Sequence, residues 1–430
     1  MRLGCCNRPL VLNIWRELTG GIVNMALQAK FVKPGYKFNR MELSGGLGDL
    51  GSLLPLAVGM IMVNGLSPIG VFFSIGLFYI LSGMYYGITV PVQPMKVISA
   101  YAIAMTLSAS HIAASGLLVG LFLLVIGGTG AITLLGKSIP KSVVRGVQMS
   151  TGALLMAQGV KFVVGSSTFQ LLQGVAEPHL ILQSIGSMPI GIFLGIIGGV
   201  MTLFFLDNKK LPAGLLVILF GIAFGLIWGT HEGFATLTPG FYLPEFLPFG
   251  LPTADDFSFA LLILVLPQMP MTLGNAVIAN ADLSRQYFDK ASERVTHKAL
   301  CFSMGLANIV CFLVGGMPLC HGAGGLAAHY RFGARTAGSN LMIGCMFVGL
   351  AVFFGVHSLA IVYLIPFSVL GVLLIFAGSH LALTIIDMKE RKDLFVGMIM
   401  LGITLASNLA VAFGVGILLA YALKSKRLNI

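Results

Sequence analysis

Between two apolar runs of membrane length, the chain reads Tyr85-Tyr86-Gly87-Ile88-Thr89-Val90-Pro91-Val92-Gln93-Pro94-Met95-Lys96. Proline has no backbone N–H and is excluded from a helix interior, yet it fits a helix's first turn. The prolines therefore predict an extended segment through Val92 and a helix that starts near Pro94, inside the bilayer. Irregular backbone at that depth survives only where it is buried in protein or lines a watery cavity. A helix start also exposes unpaired N–H groups and the positive end of its dipole. With Lys96 on the first turn, the segment is a candidate anion site.

The rest of the chain fits a bilayer. Of its 430 residues, 57% are hydrophobic and 10% charged, a composition of polytopic membrane proteins. Apolar runs of about 20 residues fall at 43–63, 67–86, 94–108, 113–135, 140–164, 187–206, 211–230, 257–279, 299–316, 321–332, 338–356, 358–387, 393–407 and 409–423. These predict an all-α protein of fourteen transmembrane segments, some shorter than a full span. Residues 1–40 hold seven Lys or Arg against Glu17 alone and read as a basic cytoplasmic arm. A transit peptide, or palmitate on Cys5-Cys6, are the competing readings of that arm.

Starting from a cytoplasmic arm, one side receives Lys141, Lys209, Lys210, Arg285, Lys298, Arg335, Arg391 and Lys426, and the other Glu177, Glu232, Glu245, Asp255 and Asp256. This segregation explains the net charge of +11 as topology, with no nucleic-acid partner required, and predicts both termini in the cytoplasm. The membrane is the plasma membrane or an internal one. The six cysteines show no paired spacing and read as free thiols.

An internal echo divides the chain. Ile139-Pro140-Lys141-Ser142-Val143 recurs as Ile365-Pro366-Phe367-Ser368-Val369, and Val90-Pro91-Val92 as Met317-Pro318-Leu319, at nearly the same separation but opposite expected orientation. Corresponding interrupted segments in two halves are the sequence sign of an inverted-repeat secondary transporter. The expected organisation is a 1–40 arm, a first repeat at 41–230 (segments 1–7), an extracytoplasmic loop at 231–256, a second repeat at 257–423 (segments 8–14) and a 424–430 cytoplasmic tail. Half-helices are expected at segments 3 and 10.

The candidate chemistry clusters on four stretches. The first span carries Glu42, Gly45, Gly46 and Asp49. An acid at the depth of Asp49 is costly and calls for a partner, so it reads as a proton-coupling group, as a partner of Lys96, or as a structural acid. Glu42 lies nearer the interface and reads as structural, while Gly45 and Gly46 could turn backbone N–H groups to a ligand. The eighth span carries Gln268, Thr272 and Asn275, spaced for one helix face, as oxyanion donors or interhelical glue. His321, followed by Gly322-Ala323-Gly324-Gly325, opens the tenth segment and could donate to an anion, titrate, or bond a nearby carbonyl. No Walker, HExxH, CxxC or GxSxG motif is present, so neither an ATP-driven pump nor an enzyme is indicated, and no metal or cofactor is called for.

At Glu42-Leu43-Ser44-Gly45, Gly48-Asp49-Leu50-Gly51, Pro91-Val92-Gln93-Pro94-Met95-Lys96 and Leu266-Pro267-Gln268-Met269-Pro270 with Asn275, the chain resembles the molybdate transporter family, a branch related to sulfate permeases (SulP). The resemblance runs from about Phe38 onward. It implies uptake of the tetrahedral dianion molybdate, with sulfate or tungstate as close competitors. It also implies the fold shared with nucleobase transporters: seven plus seven inverted repeats, a core domain moving against a gate domain, and commonly a homodimer in lipid. In that fold substrate lies between the ends of segments 3 and 10. Carried here, this selects Gln93, Pro94, Met95 and Lys96, then His321 to Gly325, with Asp49 and Gln268 alongside. The reading is thus a molybdate carrier, possible alternatives being a sulfate-type carrier or an anion channel.

Overall fold

The computed structural model describes residues 35–424 except 133–138, 207, 209, 210, 232, 233, 235 and 236. Most of the basic arm with Cys5 and Cys6, Lys209, Lys210, Glu232 and the last six residues of the tail therefore lie outside the described residues. Among these, a helix overlaps every one of the fourteen apolar stretches. Six helices are long and apolar enough to cross a membrane, or seven if one bent pair counts as a single span.

That bent pair opens the fold. Helices α1 (Arg40–Leu47) and α2 (Leu50–Asn64) meet at 49° around Gly48-Asp49. Asp49 stands at the break, ahead of the first turn of α2. Helix α3 (Pro68–Tyr86) starts with Ser67 capping the Gly70 N–H and stops at Gly87, whose φ of 73° suits glycine alone without strain. The extended stretch predicted from Pro91 and Pro94 follows. Helix α4 (Lys96–Ala104) then begins inside the protein, and α5 (Ala109–Thr129) begins under a Ser108 cap.

Next come α6 (Lys141–Val164), α7 (Thr168–Gln173), α8 (Ile190–Phe205) and α9 (Ala213–Trp228). The long helix α10 (Ala254–Ser292) includes π-helical stretches at Ala260–Val265 and Thr272–Ala279, either side of Pro267 and Pro270. Helix α11 (His297–Val314) leads to a second extended stretch and to α12 (Ala323–Arg331), which also starts inside the protein. Helix α13 (Ala337–Phe354) follows. The stretch expected to be continuous over 358–387 is broken: α14 (Ser358–Val362) ends before Pro366, and α15 (Phe367–Ala382) starts after it. The cause is the proline, which supplies no N–H and sits extended as the cap. Helices α16 (Arg391–Ala406) and α17 (Leu409–Ala422) close the chain.

Glycines set how closely these helices pack. A Cβ on Gly152 of α6 would lie 2.4 Å from the Gly378 carbonyl oxygen of α15, and one on Gly159 would lie 2.5 Å from that of Gly371. As the number rises on one helix it falls on the other, so the two run antiparallel with backbones in contact. Gly76 against Gly344 does the same for α3 and α13, and Gly120 against Gly305 for α5 and α11. Such approach maximises dispersion contacts where lipid removes the hydrophobic incentive between helices. Cys301, Cys311, Cys320 and Cys345 are free thiols.

One loop acid braces this packing. Glu177, between α7 and α8, is buried and accepts hydrogen bonds from the Phe367 and Ser368 N–H groups at the start of α15, both at 2.8 Å. Burial pushes its carboxyl up from an ordinary 4.5 to about 7, against the pull of those bonds. Folded Glu177 thus keeps its proton to higher pH than the unfolded chain does. Its contribution to stability is present in full below 4.5 and is lost as pH rises to about 7. Thermal unfolding of the purified protein should show stability falling across that window by a few kcal/mol at most, and Glu177→Gln should flatten the dependence.

Candidate functional site

The two extended stretches meet. Gln93 pairs with Cys320 and Pro94 with Leu319 as a two-residue antiparallel ladder, extended by the Met95 N–H donating to the Pro318 carbonyl at 2.9 Å. Side chains satisfy what the short ladder leaves open. Asn340 accepts from the Val90 N–H at 3.1 Å and donates to the Val90 carbonyl at 2.7 Å. Asn308 does the same for Leu319, at 2.9 and 2.8 Å. Tyr79 Oη donates to the Val92 carbonyl, and Asn280 Nδ2 to that of His321. All four side chains are buried. A buried backbone group without a partner costs on the order of 1–3 kcal/mol, which explains why amides crowd here.

The ladder brings the starts of α4 and α12 together, and the two starts differ. Gln268 Oε1 accepts from the Val97 and Ile98 N–H groups at 2.9 and 3.3 Å, capping α4 from α10. Its Nε2 donates to Thr272 Oγ1 at 2.9 Å. Gln268 and Thr272 therefore build the site's wall and hold the α4 N–H groups that an anion was expected to use. Helix α12 follows Gly322, which is extended and has no side chain to cover the first turn.

Around that bare start stand the remaining groups. Lys96 Nζ lies 4.0 Å from the point a Cβ on Gly324 would occupy. Gln93 Oε1 lies 2.0 Å, and Asn275 Nδ2 3.3 Å, from the corresponding point on Gly322. Gln93 Nε2 donates to Asp49 Oδ2 at 2.7 Å, and Ser52 Oγ donates to Asp49 Oδ1 at 2.5 Å. Asp49 is thus held by an amide and a hydroxyl, with the Lys96 charge acting on it from farther off. Asp49 and Gln93 are buried, Lys96 and Asn275 half-buried, and Gly324 exposed.

The structure separates other expected members from this group. His321 is fully buried, with Nδ1 2.7 Å from the Pro91 carbonyl and Nε2 3.2 Å from Ser303 Oγ. A carbonyl only accepts, so Nδ1 carries the proton, and the ring joins the two extended stretches with no nitrogen left for a ligand. Gly45 and Gly46 are helix-packing positions: a Cβ on either would strike Ala334 or Ile343, at 2.1 and 2.7 Å. Glu42 accepts from the Arg335 and Thr336 N–H groups ahead of α13, as a structural acid would. Pro94, Met95 and Ala323 lie in the ladder and first turn, buried. Ser52 is the member that sequence reading missed; its place one turn after Asp49 was the available signal.

A cavity of about 370 Å³ opens beside the group, lined by Lys141, Arg145 and Gln148 of α6 and by Gly274 and Asn275 of α10. Arg145 is anchored by Gln148 and Asp387. The π-helical turn at Thr272–Ala279 accounts for Asn275 lying here and not on the Gln268 face, since the α-helical spacing rule fails once the helix widens.

The family profile described as "Molybdate transporter of MFS superfamily" matches residues 41–155 and 260–381. The chain belongs to this molybdate transporter family. It is 32% identical to Molybdate transporter 2 of Arabidopsis thaliana, over 90% of this chain and 88% of that one. It is 29% identical to Molybdate transporter 1 of the same plant, over 88% and 87%.

Its fold resembles that of the transmembrane domain of the cyanobacterial bicarbonate transporter BicA, with TM-score 0.61, 16% identity and coverage of 89% and 97%. SLC26A9 gives 0.63, 14%, 99% and 72%. The family description names the MFS superfamily, but these structures place the fold with the SulP and SLC26 transporters. The chain is therefore a multi-pass membrane transporter of an anion-transporting family, and not an enzyme.

The close approach of Gly325 to the site is testable. A Cβ there would lie 2.7 Å from Asp49 Oδ2 and 2.9 Å from Gln93 Nε2. Overpacking of this kind costs about 1–3 kcal/mol, so Gly325→Ala should cut anion uptake roughly 5- to 100-fold, with membrane protein level measured by immunoblot unchanged.

Proposed function

We propose that the protein is a secondary transporter of molybdate that works by alternating access and takes up protons with its substrate. The observation that carries this reading is the uncapped start of α12 beside Lys96, Asn275 and Gln93, with Asn275 also lining the neighbouring cavity. A tetrahedral dianion needs its hydration replaced by donors and positive charge. The bare α12 N–H groups, the positive dipole end, Lys96 Nζ and Asn275 Nδ2 supply both. The relatives named as molybdate transporters, matched along most of the chain, favour molybdate over other dianions. Discrimination from the smaller sulfate then rests on cavity size, with tungstate a close competitor.

The architecture proposed is fourteen segments in two inverted repeats, 41–230 and 257–423, separated by the loop at 231–256 and flanked by cytoplasmic ends. Val92 and Leu319 occupy matching places in the two halves, and each carbonyl receives a donor, Tyr79 or Asn308, from the helix just before its own stretch. This correspondence supports the repeat beyond the sequence echo. The elements around the ladder form a core that moves against a gate built on α6 and α15, and the protein pairs as a homodimer in lipid. The cavity opens on the side of Lys141 and Arg145, the basic and hence cytoplasmic side, so the conformation is inward-facing. Asp49, beside the anion site, is the proton-coupling group. An open anion channel is less favoured, because two helices that start inside the protein suit alternating access better than an open pore.

Uptake of radiolabelled molybdate into a transport-deficient host tests the reading. Cells making the protein should accumulate molybdate, tungstate should compete more strongly than sulfate, and Lys96→Ala should reduce uptake to background. Equal accumulation by wild type and the Lys96→Ala protein would remove the basis for this assignment.

A further inference from the structure

Beside the two helix starts lies a buried polar atom with no hydrogen-bond partner among the described residues. Gln93 Oε1 is buried and accepts no hydrogen bond among the described residues, although the Nε2 of the same amide donates to Asp49 Oδ2 at 2.7 Å and reaches Ser52 Oγ at 3.3 Å. The free oxygen lies against Gly322, beside Asn275 Nδ2 and the Lys96 side of α12. In this arrangement the amide turns its negative end toward the start of α12. Leaving a buried acceptor unsatisfied is itself costly, so a second state that satisfies it is favoured whenever a donor arrives.

We propose that the Gln93 amide is the element that couples proton binding to anion binding, by turning over between Asp49 and the start of α12. This rests on the anion site proposed above and names how that site recognises its second substrate, the proton. While Asp49 is a carboxylate it can only accept, so it holds Nε2 and leaves Oε1 facing the site, where it repels an anion. When Asp49 takes a proton on Oδ2, that oxygen becomes a donor. The amide then rotates by half a turn: the Asp49 O–H donates to Oε1, and Nε2 moves to the site and donates to the anion. One proton enters and no covalent bond other than its O–H forms.

The charge count follows. A carboxylate facing Lys96 is replaced by a neutral acid, a dianion and the same Lys96, so each substrate favours the other by the same factor. Lys96, Tyr79 and Cys320 are the titratable groups near Asp49. Tyr79 donates to the Val92 carbonyl, and the Cys320 thiol faces that of Pro94, so neither presents a proton to the amide. His321, the other candidate for titration, is bound at both ring nitrogens away from it. Gly325 is required because any side chain there would occupy the space in which the amide and Asp49 meet.

The test is equilibrium binding of radiolabelled molybdate to the purified full chain, from neutral to mildly acidic pH, with monodispersity checked for each variant. Wild-type affinity should rise as pH falls, toward about tenfold per pH unit for one linked proton. Asp49→Asn offers Oε1 a permanent donor, so it should bind tightly with no pH dependence. Gln93→Met keeps Asp49 but removes the amide, so binding should weaken and its pH slope should vanish.

A slope that persists in Gln93→Met overturns the coupling role while leaving the anion site standing. Wild-type protein that binds no molybdate at any pH overturns the anion site, and the coupling role with it. A readout that needs no variant is proton uptake by weakly buffered wild-type protein on addition of molybdate: about one proton per anion supports the relay, and none overturns it.

Discussion

Four paired residues hold this protein's site in place. The ladder between Gln93-Pro94 and Leu319-Cys320 is too short to be stable by its own hydrogen bonds, and it lies where no water can complete them. It persists because Asn340, Asn308, Tyr79, Asn280 and His321 bind the flanking backbone from five different places in the sequence. Once the ladder forms, α4 and α12 must start at one point. Every other property of the site, including the closeness of Lys96 to Gly324, descends from that meeting.

The two helix starts look equivalent in sequence and are not equivalent in the fold. Helix α4 is capped by Gln268, while α12 begins on a bare glycine, Gly322, with Gly324 exposed in its first turn. At the proposed anion site the dipole and the first N–H groups of α12 would therefore lie on one side, with Lys96 on the other. This asymmetry suits a carrier, since a ligand held equally by two capped walls would have no face from which to leave.

The close helix pairs supply the frame around it. Backbone contact at Gly152 with Gly378 and at Gly76 with Gly344 leaves little freedom for sliding within each pair. The cavity between α6 and α10 lies across a looser boundary, lined by long side chains such as Lys141 and Arg145. Rigid pairs that meet across a soft boundary are the physical requirement for movement of one body against another.

Much of this was legible in the residues themselves. Apolar runs, prolines and the asymmetry of charge are local signals: they determined a membrane protein, the break before Lys96, the second break before Gly322 and the candidate status of Asp49, Gln93 and Lys96. Tertiary structure alone decided which polar atoms remained free. Gln268 reaches across 171 positions to cap α4, His321 across 230 to the Pro91 carbonyl, and Gly45 packs against Ala334. Spacing rules describe neighbours along one helix, whereas a hydrogen bond is filled by whichever group the fold brings within reach. The available donors could be counted from the chain, but which of them were left for an anion depended on contacts between distant segments.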